Sequence, residues 1–385
     1  MNERERALHL LQRIEREHLY ATPLLAGESG FIRTLVLGVL RWRSRLDYAL
    51  EQFAQRPVKK LDPPVIEVLR LGLYQLHYMD VPAYAAVSET VDLAPKRARG
   101  FVNAILRRGG ERRPPEPSDV PTRTAHPKWL IDRWTRVFGA GRAAKIAAAN
   151  QELSYPDVLS LGGEVPPESE PSRLVPDLWK LHGSSAALDR HDFYPMDEGS
   201  AVIAAIARAC GGDILDLAAA PGGKSIYMRR HGANVVANDV SLARMRPLLA
   251  RGAKAVVSDG RKPPFGRRFE VVLLDAPCSA TGTIRKNPEI KWRLKESELA
   301  AFAKLQRELL ASAMELASKY VVYSTCSLEP EENDAVVEGF ERVDVAPFVP
   351  DGAKAWVEDG VLRLTPESGA DGFTCFVLSL SRGIN

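Results

Sequence analysis

Cysteine is scarce in this chain of 385 residues, and its four cysteines are not grouped. Cys210, Cys278, Cys326 and Cys375 lie far apart, so no Cys-x-x-Cys motif is present. The seven histidines do not have metal-ligand spacing either. Zinc sites and disulfide frameworks both need such patterns, so we expect no metal and no disulfide. Free thiols of this kind indicate a reducing cytoplasm.

No apolar stretch approaches the length that a membrane-spanning helix needs. The first six residues, MNERER, are charged and carry no apolar signal core. With 45% hydrophobic and 26% charged residues, the composition is typical of a globular protein of two or three domains. We therefore expect a cytoplasmic protein without a membrane partner.

Positive charge is concentrated in the first third of the chain. The whole sequence has a net charge of +3, whereas residues 1–115 carry 19 Lys and Arg against 13 Asp and Glu. Such an excess fits a polyanionic partner, although a solvated basic helix surface explains it equally well. The arginines of RWRSR at 41–45 and of KRARG at 96–100 are open to the same two interpretations, phosphate contact or solvation.

The organisation of the chain changes twice along its length. Apolar residues recur at helical spacing through residues 1–108, which predicts an all-helical region. A linker rich in proline, glycine and charge follows at 109–121. Residues 150–192 contain many prolines, and we expect them to be irregular. We predict a helical domain at 1–115, a linker and small connecting subdomain at 116–195, and an α/β domain at 196–385.

The last part of the chain alternates predicted strands and helices. The predicted strands are 213–217, 234–240, 255–258, 270–274, 319–324 and 372–380. Alternation of this kind indicates a mostly parallel, doubly wound sheet. Ligands of such sheets bind at the carboxyl ends of the strands.

The first of these strands runs into a turn of small residues, LDLAAAPGGKS at 215–225. A phosphate-binding Walker A loop would need glycine where Ala218 stands, and the dinucleotide motif G-x-G-x-x-G is absent. A loop that binds S-adenosyl-L-methionine and a tight turn without a ligand both remain open. The next two strands end in Asp239 and Asp259, which are suited to ribose hydroxyls and an adenine amino group, or else to helix caps.

Two further predicted strands end in turns that contain cysteine, LDAPCSATG at 274–282 and STCS at 324–327. Both turns are expected at the carboxyl edge of the sheet, so Asp275, Cys278 and Cys326 would face one crevice. Free cysteines are more often buried apolar residues, and this is our prediction for Cys210 and Cys375.

These motifs resemble those of bacterial RNA cytosine-5 methyltransferases. The segments at 31–45 and 69–108, which include PAYAAVSE and GFVNAILR, are similar to the NusB-like RNA-binding domain at the front of such enzymes. The stretches APGGKS, DAPCS and STCS follow in the same order as in that family. The likeness covers nearly the whole chain. It departs at Ala218, where many relatives have cysteine, and at Ala280, where many have glycine.

The resemblance implies an α-helical NusB-like domain followed by an α/β Rossmann-like methyltransferase domain with a mostly parallel, seven-stranded sheet. It implies a monomeric enzyme that transfers a methyl group from S-adenosyl-L-methionine to C5 of one cytosine in 16S (small-subunit) rRNA. The same chemistry on tRNA and a non-catalytic RNA-binding factor are the alternatives. A DNA cytosine-5 methyltransferase would have a Pro-Cys-Gln turn, whereas here Ser279 follows Cys278.

The resemblance also implies a role for each site residue. Cys326 would add to C6 of the base, Asp275 would hold or protonate N3, and Cys278 would assist loss of the C5 proton and release of the product. Lys224 would contact the cofactor loop or favour a thiolate. The expected cofactor-binding residues are Ala218, Ala219, Ala220, Pro221, Gly222, Gly223, Lys224, Asp239, Asp259 and Asp275.

Overall fold

The structure, a computed structural model, describes residues 2–182 and 190–380. It divides into two compact units, Met1–Glu152 with Ile284–Leu294, and Leu153–Thr283 with Lys295–Asn385. The three-part division of the chain stays a prediction. Each unit is described separately below.

The helices of the described residues are, in chain order, α1 (Glu3–Glu17), α2 (Ala21–Leu24), α3 (Gly30–Ala54), α4 (Pro63–Tyr78), α5 (Ala83–Leu93), α6 (Arg99–Glu111), α7 (Val120–Arg123), α8 (Lys128–Phe138), α9 (Ala140–Ala149), α10 (Glu198–Cys210), α11 (Gly223–Arg230), α12 (Leu242–Leu249), α13 (Ile290–Arg293) and α14 (Leu299–Leu316).

The strands of the described residues are, in chain order, β1 (Asp157–Ser160), β2 (Ser169–Pro171), β3 (Leu178–Leu181), β4 (Phe193–Pro195), β5 (Asp213–Asp216), β6 (Asn234–Asp239), β7 (Lys254–Val257), β8 (Phe269–Asp275), β9 (Ala317–Thr325), β10 (Arg342–Val343), β11 (Val357–Glu358), β12 (Val361–Leu364) and β13 (Phe373–Ser379).

The first unit is built from α1 to α9 and α13. Three of its helices begin at a polar cap or a proline, since the side chains of Asn2 and Ser29 accept hydrogen bonds from the first turns of α1 and α3, and Pro63 opens α4. The apolar faces of α1, α3, α4 and α6 form one core. The predicted helical domain is confirmed.

A short segment from the second half of the chain completes this helical unit. Residues Ile284–Leu294 hydrogen-bond to α2 and α3, because Glu289 accepts from the Ala21 amide at 2.9 Å and Lys291 Nζ donates to the Arg41 carbonyl at 2.9 Å. The Arg41 guanidinium in turn donates to the Arg285 carbonyl at 2.8 Å. This segment lies inside the range predicted for the α/β domain, yet it packs with the N-terminal helices.

The arginines at 41–45 are engaged within the helical unit. Arg41 is buried, Arg43 pairs with Glu15 and Arg45 pairs with Glu116. Trp42 stacks on Tyr78 with ring centroids 4.6 Å apart.

The second unit contains a nine-stranded sheet of order β11-β12-β13-β9-β8-β5-β6-β7, with β10 paired to β13. The strands β7, β6, β5, β8 and β9 are parallel, and β13 is antiparallel to β9. The predicted Rossmann-like α/β class is confirmed. The described sheet has nine strands rather than the predicted seven, because three short strands, β10 to β12, add to the antiparallel side of the other six.

A four-stranded antiparallel sheet, β2-β3-β1-β4, precedes the large one. The prediction that residues 150–192 are irregular is therefore wrong, although residues 183–189 lie outside the described residues. These strands have only three or four residues, which is too short for the alternation of apolar residues to show in the sequence.

Neither unit contains, in its described residues, a helix that is both long and apolar enough to cross a membrane. The same residues contain no group of three or more histidine, cysteine or acidic side chains arranged to hold a metal ion.

Candidate active site

The two cysteine-containing turns lie side by side at one edge of the parallel sheet. Strand β8 pairs with β9 so that Asp275 stands opposite Ser324, and the amide after Asp275 donates to the Ser324 carbonyl at 2.8 Å. Cys278 and Cys326 then follow these strand ends. Their sulfur atoms are 3.1 Å apart, and both residues are half-buried. Two thiols and a carboxylate thus lie together at the ends of two paired strands.

The Asp275 carboxylate is held at both oxygens. Its Oδ1 accepts a hydrogen bond from Ser324 Oγ at 2.8 Å, and its Oδ2 forms an ion pair with Lys224 Nζ at 2.6 Å. Lys224 also lies 3.3 Å from Ser200 Oγ. Burial by itself would lower the pKa of Lys224, but the Asp275 carboxylate outweighs it and leaves that pKa raised. The lysine is therefore a buried cation that fixes the orientation of Asp275.

The environment of Cys278 disfavours its thiolate. The hydrogen bond with the Cys326 sulfur and burial raise the pKa of Cys278 well above its ordinary value, and the carboxylates of Glu332 and Asp275 raise it further. Cys210 and Cys375 are both buried, as predicted, and Cys375 lies opposite Ser324 in the pairing of β13 with β9. Burial raises the pKa of Cys210 to about 12, which suits an inert core residue.

The small-residue turn after β5 lines a cavity of about 200 Å³ beside Lys224 and Asp275. Gly222 has φ +110°, and a Cβ at this position would lie 2.6 Å from the side chain of Leu248, so only glycine fits. The cavity is lined by Tyr194, Pro195, Met196, Asp197, Ser200, Asp216, Ala218, Ala219, Ala220, Pro221, Gly223, Lys224 and Asp275.

One carboxylate in this cavity has an unpartnered oxygen. Asp216 is buried at the end of β5, where Oδ2 accepts from Ser225 Oγ at 2.6 Å and Oδ1 has no hydrogen-bond partner. Burial raises the pKa of Asp216 to about 7, partly offset by Ser225 and Lys224. A ligand with a cationic donor would satisfy this oxygen.

The two other predicted aspartates lie outside the lining of the cavity. Asp239 holds the small-residue turn, because its carboxylate accepts from the Ala220 amide at 3.0 Å and the Ser241 amide at 2.9 Å. Asp259 is half-exposed and pairs with Arg261 at 2.7 Å in a separate surface cleft. That arginine lowers the pKa of Asp259 to about 2.

The turn that carries Cys278 approaches other backbone closely. The Gly282 amide donates to the Cys326 carbonyl at 2.9 Å, and the Gly282 carbonyl accepts from the Gly372 amide at 2.8 Å. A Cβ on Gly282 would lie 2.4 Å from the Gly372 carbonyl oxygen. Ala280 has φ +59°, in the left-handed region.

Several residues of the site were missed by the sequence analysis. Asp216 could have been found, because it is an acidic residue at a strand end, like Asp239 and Asp259. Glu332, which contacts both cysteine-containing turns, has no local pattern that marks it. Met196 and Ser200 belong to a segment that the motifs do not cover.

Comparisons with known proteins identify the family of the chain. A family model described as 16S rRNA methyltransferase RsmB/F matches residues 204–378, and the NusB family model matches residues 1–109. Ribosomal RNA small subunit methyltransferase B of Sodalis glossinidius is 31% identical, with 93% of this chain and 88% of the relative covered. The protein of the same name from Pseudomonas putida is 32% identical, with 90% and 89% covered.

A solved structure supports the fold of the whole chain. The crystal structure of PH0851 is similar with a TM-score of 0.75 over 98% of both chains, at 23% identity. The helical unit, the parallel sheet with its two cysteine-containing turns and the matches over most of the sequence lead to one conclusion: this chain belongs to the 16S rRNA methyltransferase RsmB/F family.

Proposed function

We propose that this protein transfers the methyl group of S-adenosyl-L-methionine to C5 of a cytosine in 16S rRNA. The observation that carries the proposal is the pair of sulfur atoms 3.1 Å apart beside Asp275. Family membership supports RNA as the substrate, and relatives named for the small ribosomal subunit favour 16S rRNA over tRNA. Such a substrate places the reaction in the cytoplasm, where we expect the enzyme to act as a monomer.

The residues around the cavity fit the cofactor. A volume of about 200 Å³ is less than the roughly 300–1,000 Å³ of a complete small-molecule pocket, so it suits one end of the cofactor. The unpartnered Asp216 oxygen suits the cationic methionine end. Asp239 supports the small-residue turn through its hydrogen bond from the Ala220 amide. We retain Asp259 as a candidate for binding the nucleoside end of the cofactor. When bound, the cofactor supplies the methyl group.

Cytosine C5 is a weak nucleophile, so the enzyme must first activate the ring. In the proposed mechanism the Cys326 thiolate forms a bond to C6, which makes C5 electron-rich. Asp275, oriented by Lys224 and Ser324, delivers a proton to N3 and so neutralises the negative charge that the thiolate brings to the ring. The base must leave its stack to reach the two thiols, and the helical unit would hold the surrounding RNA.

The contact between the sulfur atoms supports different roles for Cys326 and Cys278. While Cys326 is free, its sulfur is the largest cause of the raised pKa of Cys278. Once Cys326 is bonded to C6, its sulfur no longer adds to the raised pKa of Cys278, and Cys278 assists removal of the C5 proton. Loss of that proton breaks the Cys326–C6 bond and returns the ring to aromaticity.

This mechanism predicts opposite results for the two cysteines. Cys326→Ala should abolish methylation, since no bond to C6 forms. Cys278→Ala should accumulate a covalent protein–RNA adduct, because product release is blocked. Denaturing gels of each variant with labelled RNA measure both outcomes, and an adduct in the Cys326 variant would reverse the assignment.

The substrate is tested with the same variants. Bisulfite sequencing of total RNA compares cells without the gene with cells that express the wild type or Cys326→Ala. We expect one cytosine in 16S rRNA to be protected only by the wild type. Protection in tRNA instead would keep the chemistry and replace the substrate, while no protected cytosine in any RNA would contradict the proposal and favour a non-catalytic RNA-binding factor.

A further inference from the structure

A buried glutamate outside the predicted site contacts both cysteine-containing turns. Glu332 is fully buried in the short turn Pro330–Glu332 that follows β9. Its Oε1 accepts hydrogen bonds from the hydroxyls of Ser279 and Ser327, the latter at 2.6 Å. Its Oε2 accepts from the Ser279 amide at 2.8 Å and from Gln306 Nε2 at 2.9 Å. We call these four residues the Glu332 cluster.

The positions of the two serines give this cluster its importance. Ser279 directly follows Cys278, and Ser327 directly follows Cys326. One carboxylate oxygen therefore joins the two turns, and the serine hydroxyl oxygens lie 3.0 Å from each other. A movement of either turn that separated the two sulfur atoms would also break a hydrogen bond to a buried charge.

Hydrogen bonds to the backbone of Glu332 and to the next residue hold the Glu332 turn in place. Its backbone carbonyl accepts from Tyr323 Oη at 2.6 Å. The next residue, Asn333, bonds through its amide group to the Ser327 carbonyl at 2.9 Å and accepts from Thr325 Oγ1 at 2.6 Å. Gln306 also donates to the Pro277 carbonyl at 2.9 Å. The Glu332 carboxylate is therefore a hydrogen-bond acceptor of fixed position for both turns.

The donors to Glu332 are all neutral groups: two hydroxyls, a backbone amide and a side-chain amide. Dipoles hold the charge without cancelling it, so its field still acts on the neighbouring sulfur atoms. That field contributes to the raised pKa of Cys278, after the Cys326 sulfur and burial. The charge thus works against a thiolate at Cys278.

We propose that Glu332 is a positioning residue, which holds the turns of Cys278 and Cys326 in register through Ser279 and Ser327. The role given to Glu332 rests on the proposed function, whereas the hydrogen bonds of the Glu332 cluster are independent of it. It assigns Glu332 no contact with the RNA base or the cofactor.

The test is Glu332→Gln in the full-length protein. The variant keeps the size of the side chain but loses the charge, and the serine hydroxyls can rotate to accept from its amide group. Because hydrogen bonds to a charged group are lost, we expect the single-turnover rate of adduct formation in the Cys278→Ala background to fall at least about tenfold. Binding of S-adenosyl-L-methionine, measured by calorimetry, should stay unchanged.

The relative reactivity of the two thiols is a second measurement, which should not change if Glu332 only stabilised the fold. Limited alkylation with iodoacetamide followed by mass spectrometry gives the ratio of modified Cys278 to modified Cys326. Removing the negative charge should shift this ratio toward Cys278 in Glu332→Gln. Ser327→Ala, which removes one hydrogen bond, should slow adduct formation less, and the double variant should be less impaired than the two single effects combined.

Asp334→Asn is the matched control. Asp334 lies two residues further on and pairs with Arg363 rather than with either turn, so its loss should leave the adduct rate and the alkylation ratio unchanged. A wild-type adduct rate and alkylation ratio in Glu332→Gln would overturn the proposal. If Glu332→Gln does not fold, Ser327→Ala with a wild-type rate and ratio overturns it equally. Failure of the proposed function would be seen separately, as activity in Cys326→Ala.

Discussion

Ala280 is the residue at which local conformation and side chain disagree. Its φ of +59° lies in the left-handed region, where a Cβ atom costs roughly 1–2 kcal/mol. It stands two residues after Cys278, at the position where the resemblance places glycine in many relatives. The turn keeps its path because the hydrogen bonds of Gly282 and the Glu332 cluster hold it on both sides.

Ala280→Gly should therefore stabilise the protein. The relief of strain exceeds the extra chain entropy of glycine, which is roughly 0.5–1 kcal/mol, so we expect a gain of about 0.5–1 kcal/mol. Urea unfolding measures it as a free energy of unfolding.

The control is Ala301→Gly, at an exposed position of α14, which should lose about 1 kcal/mol for its glycine. Equal losses in the two variants would mean that Ala280 carries no strain.

Single residues of the site were predictable only where they belong to a motif. The proximity of Asp275, Cys278 and Cys326 could be predicted because each lies at or just after the end of an apolar strand, in a distinctive turn. Glu332 could not, since its partners Ser279 and Gln306 are far from it in sequence and only the folded chain brings them together. A buried polar network leaves no periodic trace in a sequence.

At the scale of elements, three backbone segments converge beside the thiols. The turn after β8, the turn after β9 and the start of β13 are joined through Gly282, which bonds to the Cys326 carbonyl and the Gly372 amide. The contact requires the absence of a side chain, because a Cβ on Gly282 would lie 2.9 Å from the Cys326 carbonyl oxygen as well as 2.4 Å from that of Gly372.

Gly282→Ala should therefore destabilise the protein by about 1–3 kcal/mol, the usual cost of overpacking, and should slow methylation by displacing Cys278. Urea unfolding and a methyl-transfer assay measure the two effects.

Gly266→Ala serves as the comparison, since a Cβ there meets nothing within 4 Å. It should change the free energy of unfolding by less than about 0.5 kcal/mol. Wild-type stability and activity in Gly282→Ala would show that the segments can separate without cost.

The elements that could be predicted are those with a clear period or a clear terminus. Strands β5, β6, β8 and β9 are continuous apolar runs that end in polar turns, and the long helices have one apolar face. The sheet β2-β3-β1-β4 was missed because each strand is held by pairing with its neighbours rather than by its own composition.

At the scale of the whole molecule, the first unit is discontinuous in sequence, because part of it follows residues of the second unit. Residues Ile284–Leu294 belong to the helical unit, although about 130 residues of the other unit separate them from Glu152. Their hydrogen bonds to Ala21, Leu40 and Arg41 satisfy backbone and buried polar groups of α2 and α3.

A fragment that ends at residue 152 should therefore be incomplete. We expect the isolated fragment 1–152 to unfold at a lower urea concentration than the same fragment mixed with a peptide of residues 284–294. The midpoint should rise with peptide concentration, because a ligand that binds only the folded state stabilises it.

A peptide of scrambled order should have no effect on that midpoint. If the authentic peptide also has none, the helices of 1–152 would be complete without it.

Because synthesis proceeds from the N-terminus, this segment determines when the helical unit can mature on the ribosome. Translation at about 5–20 residues per second needs on the order of 10 s to proceed from residue 152 to residue 294. During that interval the buried groups of α2 and α3 lack the hydrogen bonds of this segment, while the ribosome synthesises the strand of Asp275 and the turn of Cys278. The nascent chain thus contains Cys278 before its N-terminal helical unit is complete, so the two units mature together rather than in succession.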